Sequence, residues 1–268
     1  MIVVYPSIDP VAFHVGPLKV HWYGLAYAVT FWLVSFLSHR SLKCGALGKI
    51  TSEQLDRILF LTILGILLGG RIGEVLFYQT PYWLYDWGIW FRVWQGGMSF
   101  HGAVLGYSLM LAWSIRRERI AFWTLPDYWA TLSPIGLGLG RLANFINGEL
   151  WGRPTSGDWG MIFSHVDLLP RHPSQLYEMF FEGLVLFVWM QYWRRKNLAP
   201  GVLTFVFLLS YGVIRFCIEW FREPELMLAG PAGWLTMGQW LCLPMMIIGI
   251  GGCCYQHRNR RDVCQQPS

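Results

Sequence analysis

Apolar positions in this chain come in long blocks, with no short alternating period. Seven runs of about 20 mainly apolar residues cover 22–39, 56–78, 96–115, 126–146, 173–193, 201–221 and 237–256. Short polar stretches carrying Pro, Arg or Lys separate them. A helix of that length spans the roughly 30 Å hydrocarbon core of a bilayer. The pattern therefore predicts an all-α polytopic membrane protein with about seven transmembrane helices. It forms one integral domain over 1–268. The fourth run is the least hydrophobic.

Composition sharpens this reading. The chain is 54% hydrophobic and 14% charged, more apolar surface than one soluble core of 268 residues can hide. A net charge of +5 raises nucleic acid as a partner, but the basic residues sit in short clusters between apolar runs. Arg40, Lys43 and Lys49, Arg116, Arg117 and Arg119, Arg194, Arg195 and Lys196, and Arg258, Arg260 and Arg261 all fall on one side. The other side has only Lys19, Arg92, Arg153, Arg171 and Arg222. The positive-inside rule then puts the N-terminus outside and the C-terminus in the cytoplasm, and it removes nucleic acid as a partner. The first twenty residues contain Pro6, Pro10 and Pro17 and no basic segment ahead of an apolar core, so no cleaved signal peptide is expected.

Cys44, Cys253, Cys254 and Cys264 fall at or beyond the cytoplasmic edge, and Cys217 and Cys242 lie within runs, so free thiols are expected. Glycines recur at four-residue spacing as Gly65, Gly69 and Gly73, as Gly102 and Gly106, and as Gly136 and Gly140. Close helix packing is the simplest reading of most of them. The aromatic segment 82–94 looks like a short outer arm, and the polar loop 152–172 like a small periplasmic head.

The topology makes the polar residues inside the runs informative. Arg71, Arg141 and Arg215 sit roughly 7–11 Å below the outer ends of the second, fourth and sixth runs, and His101 about 8 Å into the third. Tyr23 opens the first run. His172 stands beside the fifth, with Tyr177 and Glu178 farther in. Residues from six runs thus converge in the outer leaflet. Bland readings stand beside this one. Arg71 pairs with Glu74 one turn on or snorkels outward; Tyr211, Arg215 and Glu219, spaced i, i+4, i+8, form a structural ion pair; His101 is a packing histidine. Arg141 and Asn144, three apart beside a Gly-rich turn, are harder to dismiss. Three arginines at one level with few carboxylates suggest an anion, and at that depth the available anion is a phospholipid phosphate.

The string Gly140-Arg141-Leu142-Ala143-Asn144-Phe145-Ile146-Asn147-Gly148-Glu149-Leu150-Trp151-Gly152 resembles the signature of bacterial prolipoprotein diacylglyceryl transferases. So do His21-Trp22-Tyr23-Gly24, Gly69-Gly70-Arg71-Ile72-Gly73, Gly96-Gly97-Met98-Ser99-Phe100-His101-Gly102, Arg171-His172-Pro173-Ser174-Gln175-Leu176-Tyr177-Glu178 and the stretch from Tyr211 to Glu219. The resemblance covers nearly the whole chain. It implies a seven-helix inner-membrane bundle with its active site toward the periplasmic leaflet. The implied activity moves diacylglyceryl from phosphatidylglycerol to the lipobox cysteine of a prolipoprotein signal peptide and releases glycerol phosphate. Membrane lipids are the surroundings, and no metal or cofactor is needed. Residues that the family treats as important match Tyr23, His101, Arg141, Asn144, Glu149, Gly152, Tyr211, Arg215 and Glu219. Two departures stand out. Glu74 replaces an expected neutral residue, and the loop 152–172 is short.

That chemistry suits the residues. A thiol must lose its proton, and negative charge grows on the departing phosphate. His101 is the favoured general base, because an ordinary imidazole titrates near 6.5. Arg141 and Arg215 are the phosphate clamp, with Asn144 orienting an oxygen. Arg71, Gly152, His172 and Tyr211 join them in binding substrate, and Glu149 and Glu219 position an arginine or share the base role. Other classes fit less well. There is no inverted repeat of the transporter kind, no G-x-S-x-G elbow for a serine hydrolase, and no intramembrane aspartate cluster for a metal-dependent phosphotransferase.

Overall fold

The computed structural model describes residues 3–16, 18–79, 84–92, 96–223 and 235–265. In chain order it begins with strands β1 (Val3–Val4), β2 (Val11–Val15) and β3 (Leu18–His21), then helices α1 (Trp22–Lys43), α2 (Ser52–Tyr78) and α3 (Phe100–Arg117). Next come α4 (Thr124–Ala130), α5 (Ser133–Asn147), strands β4 (Met161–Ile162) and β5 (Pro170–Arg171), and α6 (Ser174–Glu178). A π-helical stretch, Met179–Val185, joins α6 to α7 (Leu186–Arg194), and α8 (Val202–Ile218) and α9 (Met237–Gln265) follow. The molecule is mostly helical, and a helix occupies each of the seven apolar runs. Two segments, Ser52–Phe77 and Met237–Arg258, are long and apolar enough to cross a membrane, and α8 is a shorter apolar helix.

The helices depart from the apolar runs where backbone chemistry demands it. The third run starts at Gly96, but α3 starts at Phe100, because Gly96 and Gly97 both have φ of 80° and cannot be helical. Ser99 caps the helix by accepting from Gly102 N. The fourth run breaks after Ala130. Pro134 has no amide hydrogen to continue a helix, so α5 restarts around it. The fifth run is one rod interrupted by a π-helical turn, a wide winding often found at functional sites.

The chain divides into two compact units, Met1–Val34 with Leu125–Ser268, and Ser35–Thr124. The second unit is built on α2 against α3. A Cβ on Gly69 would run into the Gly102 carbonyl oxygen and lie 2.9 Å from Gly106 Cα. One on Gly73 would lie 2.9 Å from Gly102 Cα. The four-residue glycine spacing is thus a backbone-to-backbone seam, and packing is what these glycines do. A Thr51–Gln54 capping box starts α2. Of the aromatic segment 82–94, a short 3-10 helix Trp87–Trp90 is formed, capped by Asp86. Residues 82, 83, 93 and 94 lie outside the described residues.

In the first unit α5 lies against the π-helical stretch, with Gly138 and Gly183 in close approach, while Ala130, Leu186, Met190, Val206 and Tyr211 form a buried core. Asp127 caps α8, accepting from Gly201 N at 2.6 Å and Thr204 N at 2.9 Å. The loop 152–172 carries a three-stranded sheet in the order β1, β4, β5, in which β1 runs parallel to β4. Tyr5, just after β1, stacks on Phe163 and donates its hydroxyl to Ile146 O at 2.7 Å. Cys44, Cys217, Cys242, Cys253 and Cys254 are free thiols, as expected. The Cys264 side chain lies outside the described residues.

Candidate functional site

The end of α5 sets the site. Arg141 and Asn144 are three residues apart and share a helix face. The helix stops where Gly148 turns left-handed, φ 68°, and its amide and that of Glu149 return to the Phe145 and Asn144 carbonyls. Leu150 also has a positive φ of 59°, a conformation that costs a side-chain-bearing residue about 1–2 kcal/mol. Two side chains from the start of α6 hold it there. Gln175 Nε2 donates to Glu149 O at 2.7 Å, and Ser174 Oγ to Leu150 O at 2.9 Å. The Gly140–Gly152 string and the Arg171–Glu178 string are therefore one structural piece.

From this piece Arg141 reaches into a buried ionic lattice. Its Nε donates to Glu182 Oε2 at 3.0 Å and its Nη1 lies 3.2 Å from Glu178 Oε2. The other Glu178 oxygen faces Arg215 Nη1 at 3.2 Å and Arg222 Nη1 at 3.7 Å. Arg215 Nη2 meets Glu219 Oε2 at 2.7 Å, and Glu219 Oε1 accepts from Thr236 Oγ1. Three guanidiniums thus face three carboxylates, and Glu178 bridges the arginines. Glu178 and Glu182 are fully buried, and Arg141 and Arg215 nearly so. Removing one member of such a buried pair typically costs 3–5 kcal/mol.

This corrects one expectation. Arg141 and Arg215 do not stand among few carboxylates; each is already engaged by two. Glu182 and Arg222 escaped the sequence reading. The signal for Glu182 was available: it lies four residues after Glu178, on the same helix face, in an otherwise apolar run. Arg222 was counted only as a loop charge.

Around the lattice, Tyr23 accepts from Asn144 Nδ2, bringing the start of α1 to the end of α5. Asn144 is buried. Glu149 does not join the arginines; its carboxylate takes a hydrogen bond from Asn147 Nδ2 at 3.0 Å. Tyr211 is buried in α8, stacked on Phe207. Gly152 has no room for a side chain, since a Cβ would strike the carbonyls of His172 and Phe221. Its role is to let three chain segments meet. His172 Nδ1 lies 3.2 Å from the Tyr177 hydroxyl, and burial lowers its pKa, which disfavours the imidazolium form. Arg171, beside it, ties the loop 152–172 together through Asp167 at 2.6 Å, Glu223 at 3.2 Å and Gly152 O at 3.1 Å. Its guanidinium holds the Asp167 carboxyl below the usual carboxylate range.

His101 and Arg71 belong to the other unit. His101 is the second residue of α3, and it is exposed with its ring edge-on to Phe100. Arg71 is buried and does not pair with Glu74. It donates to the carbonyls of Gly96 at 2.8 Å, Gly97 at 3.4 Å, Arg92 at 3.1 Å and Ile89. Glu74 instead accepts weakly from Gln79 and lies against Gly97. The geometry of Arg71 supports a loop-holding role in place of the expected phosphate contact.

Comparison with known proteins agrees with the strings. Residues 10–255 match the family model described as prolipoprotein diacylglyceryl transferase. A phosphatidylglycerol–prolipoprotein diacylglyceryl transferase of Bordetella parapertussis is 47% identical over 92% of this chain and 95% of its own. The protein of the same name from Methylococcus capsulatus is 46% identical over 92% of this chain and 94% of its own. That of Legionella pneumophila is 45% identical over 92% and 96%.

Proposed function

The chain belongs to the prolipoprotein diacylglyceryl transferase family, and from that membership and the ionic lattice we propose how it works. It is a transferase that moves the diacylglyceryl group of phosphatidylglycerol to a prolipoprotein, the first step of lipoprotein maturation. The acceptor is the thiol of the lipobox cysteine in the signal peptide. The protein crosses the bacterial inner membrane seven times, with its active site toward the periplasmic leaflet. The segment 152–172 is the small periplasmic head over it.

The observation that carries the mechanism is the Arg141–Glu178–Arg215 bridge. It sets two guanidiniums at a fixed spacing before any lipid arrives, so no reorganisation is needed when phosphate charge develops. Arg141 keeps Nη2 for the lipid phosphate while Nε and Nη1 are held by Glu182 and Glu178. Asn144, locked to Tyr23, orients a phosphate or glycerol oxygen. The thiol gives up its proton to His101, sulfur attacks the glycerol carbon that bears the phosphate ester, and the C–O bond breaks. The electron pair leaves on glycerol phosphate, whose growing charge Arg141 and Arg215 stabilise more than they stabilise the bound diester. Glu149 and Glu219 hold neighbouring groups in place, as do Gly152, His172 and Tyr211.

The test mixes the purified protein, phosphatidylglycerol and a lipobox peptide, then weighs the peptide. The expected result is a gain of one diacylglyceryl group, with glycerol phosphate in the supernatant. An unmodified peptide with a folded, lipid-bound protein would reject the transferase reading.

A further inference from the structure

Among the described residues the lattice leaves one carboxylate oxygen with neither a guanidinium nor a hydrogen-bond donor beside it. Both oxygens of Glu178 lie 3.2 Å from a guanidinium nitrogen. Glu219 spends one on Arg215 and the other on Thr236. Glu182 gives Oε2 to Arg141, but its Oε1 is buried with no hydrogen-bond partner among the described residues. A buried, unpaired carboxylate oxygen is costly, because it has given up water and gained no donor in return. Among the three carboxylates it is the one place where a proton can sit without displacing an existing contact.

Charge supplies the occasion. At rest Arg141, Arg215 and Arg222 balance Glu178, Glu182 and Glu219. A phosphate ester brings one further negative charge into a buried, neutral cluster, where an uncompensated charge is expensive. Arg141 from α5 and Arg215 from α8 are the cations nearest Glu182; Glu178 on its own rod and Tyr211 from α8 do not neutralise an incoming anion. Cys242 from α9 is within electrostatic reach but is a thiol, and Arg194, the charged residue of α7, stands at that helix's far end. Glu149 is paired with Asn147, half-exposed, and stands outside the lattice.

We propose that Glu182 is the group through which the site takes up one proton when it binds an anionic phosphate ester, the proton resting on Oε1 while Oε2 keeps Arg141. Uptake is an equilibrium step, carboxylate plus proton to carboxylic acid, and no bond of the lipid changes in it. The inference rests on the transferase reading for the identity of the ester alone. Linkage gives its sign: bound anion raises the proton affinity of Glu182, so by reciprocity a lower pH tightens lipid binding.

The experiment is titration calorimetry of the purified protein with dioctanoyl phosphatidylglycerol, run in two phosphate-free buffers of unlike ionisation enthalpy across pH. The parent is expected to take up close to one proton per lipid, with Kd rising up to tenfold per pH unit in the window of uptake. Glu182→Gln, which keeps the shape and an acceptor for Arg141, should bind lipid with near-zero uptake and a flat pH profile. A residue that only supports the fold would change Kd and leave the proton count alone. Binding by the parent without proton uptake overturns the inference, as does a Gln variant with the parent's uptake. Should Glu182→Gln not fold, Glu182→Asp retains a titrating carboxylate and must retain uptake at a displaced pH; an unmoved profile overturns the idea. A parent that neither binds the lipid nor modifies the lipobox peptide instead sinks the transferase reading itself.

Discussion

Arg141 meets two carboxylates with Nε and Nη1 and has Nη2 to spare, a division of labour that only a planar fork permits. Lysine has one nitrogen. Arg141→Lys is therefore expected to stay folded and to lose turnover by about 100-fold or more, the usual worth of a preorganised donor. Turnover equal to the parent at matched expression would dismiss the clamp. His101 is tested differently. If it removes the thiol proton, His101→Gln should be far slower near pH 7 and recover partly as pH rises and supplies thiolate directly. Loss without recovery would make it structural. Sequence reasoning found Arg141, Asn144 and Arg215 because a charged group in an apolar run is conspicuous by its cost. It missed that Arg215 and Arg141 share Glu178, because pairing between residues 37 apart in the chain has no local pattern. The Arg215–Glu219 pair, by contrast, follows from i, i+4 spacing and is present at 2.7 Å.

Two glycines from the same spacing pattern behave differently at the scale of the helix. A Cβ at Gly102 would overlap the Gly69 carbonyl oxygen, whereas one at Gly140 meets nothing within 4 Å. Gly102→Val should lower the melting temperature in detergent, by the equivalent of about 1–3 kcal/mol or more, since neither backbone can give way. Gly140→Ala should leave it unchanged or raise it, because alanine loses less freedom in a helix. Equal destabilisation by both would refute the seam. Hydropathy located the long described helices, but not the break at Thr131–Leu132, which Pro134 imposes, or the π-helical turn, where Gly183 lies against Gly138. The loop 152–172 gives a pH-dependent test. Arg171 lowers the Asp167 pKa, so the pair contributes stability above the unfolded carboxylate value near 4 and loses it as pH falls through the lower folded one. Asp167→Asn should bring acid-like protease sensitivity of residues 152–172 to neutral pH; resistance like the parent's would show that the pair is idle.

For the whole molecule, the acceptor's own cysteine raises the question of whether an enzyme thiol ever carries the lipid. Cys217 is exposed on α8, two residues past Arg215 and so rotated about 200° from it. Cys242 is buried within electrostatic reach of Arg215, which makes it the one thiol to watch among the described residues. Direct transfer needs neither. A variant with all six cysteines replaced by Ser or Ala is expected to lipidate the peptide still, and inactivity traced to Cys242 with normal lipid binding would point to a covalent route.

Tyr5 closes the end of α5 by donating to Ile146, a residue 141 positions farther along the chain. During synthesis this contact waits for the 141 positions that separate its partners. At ~5–20 residues per second the delay is on the order of ten seconds or longer, and the partners in β4 emerge later still. Tyr5 and strand β1 thus settle only after a long stretch of chain that follows them has been made.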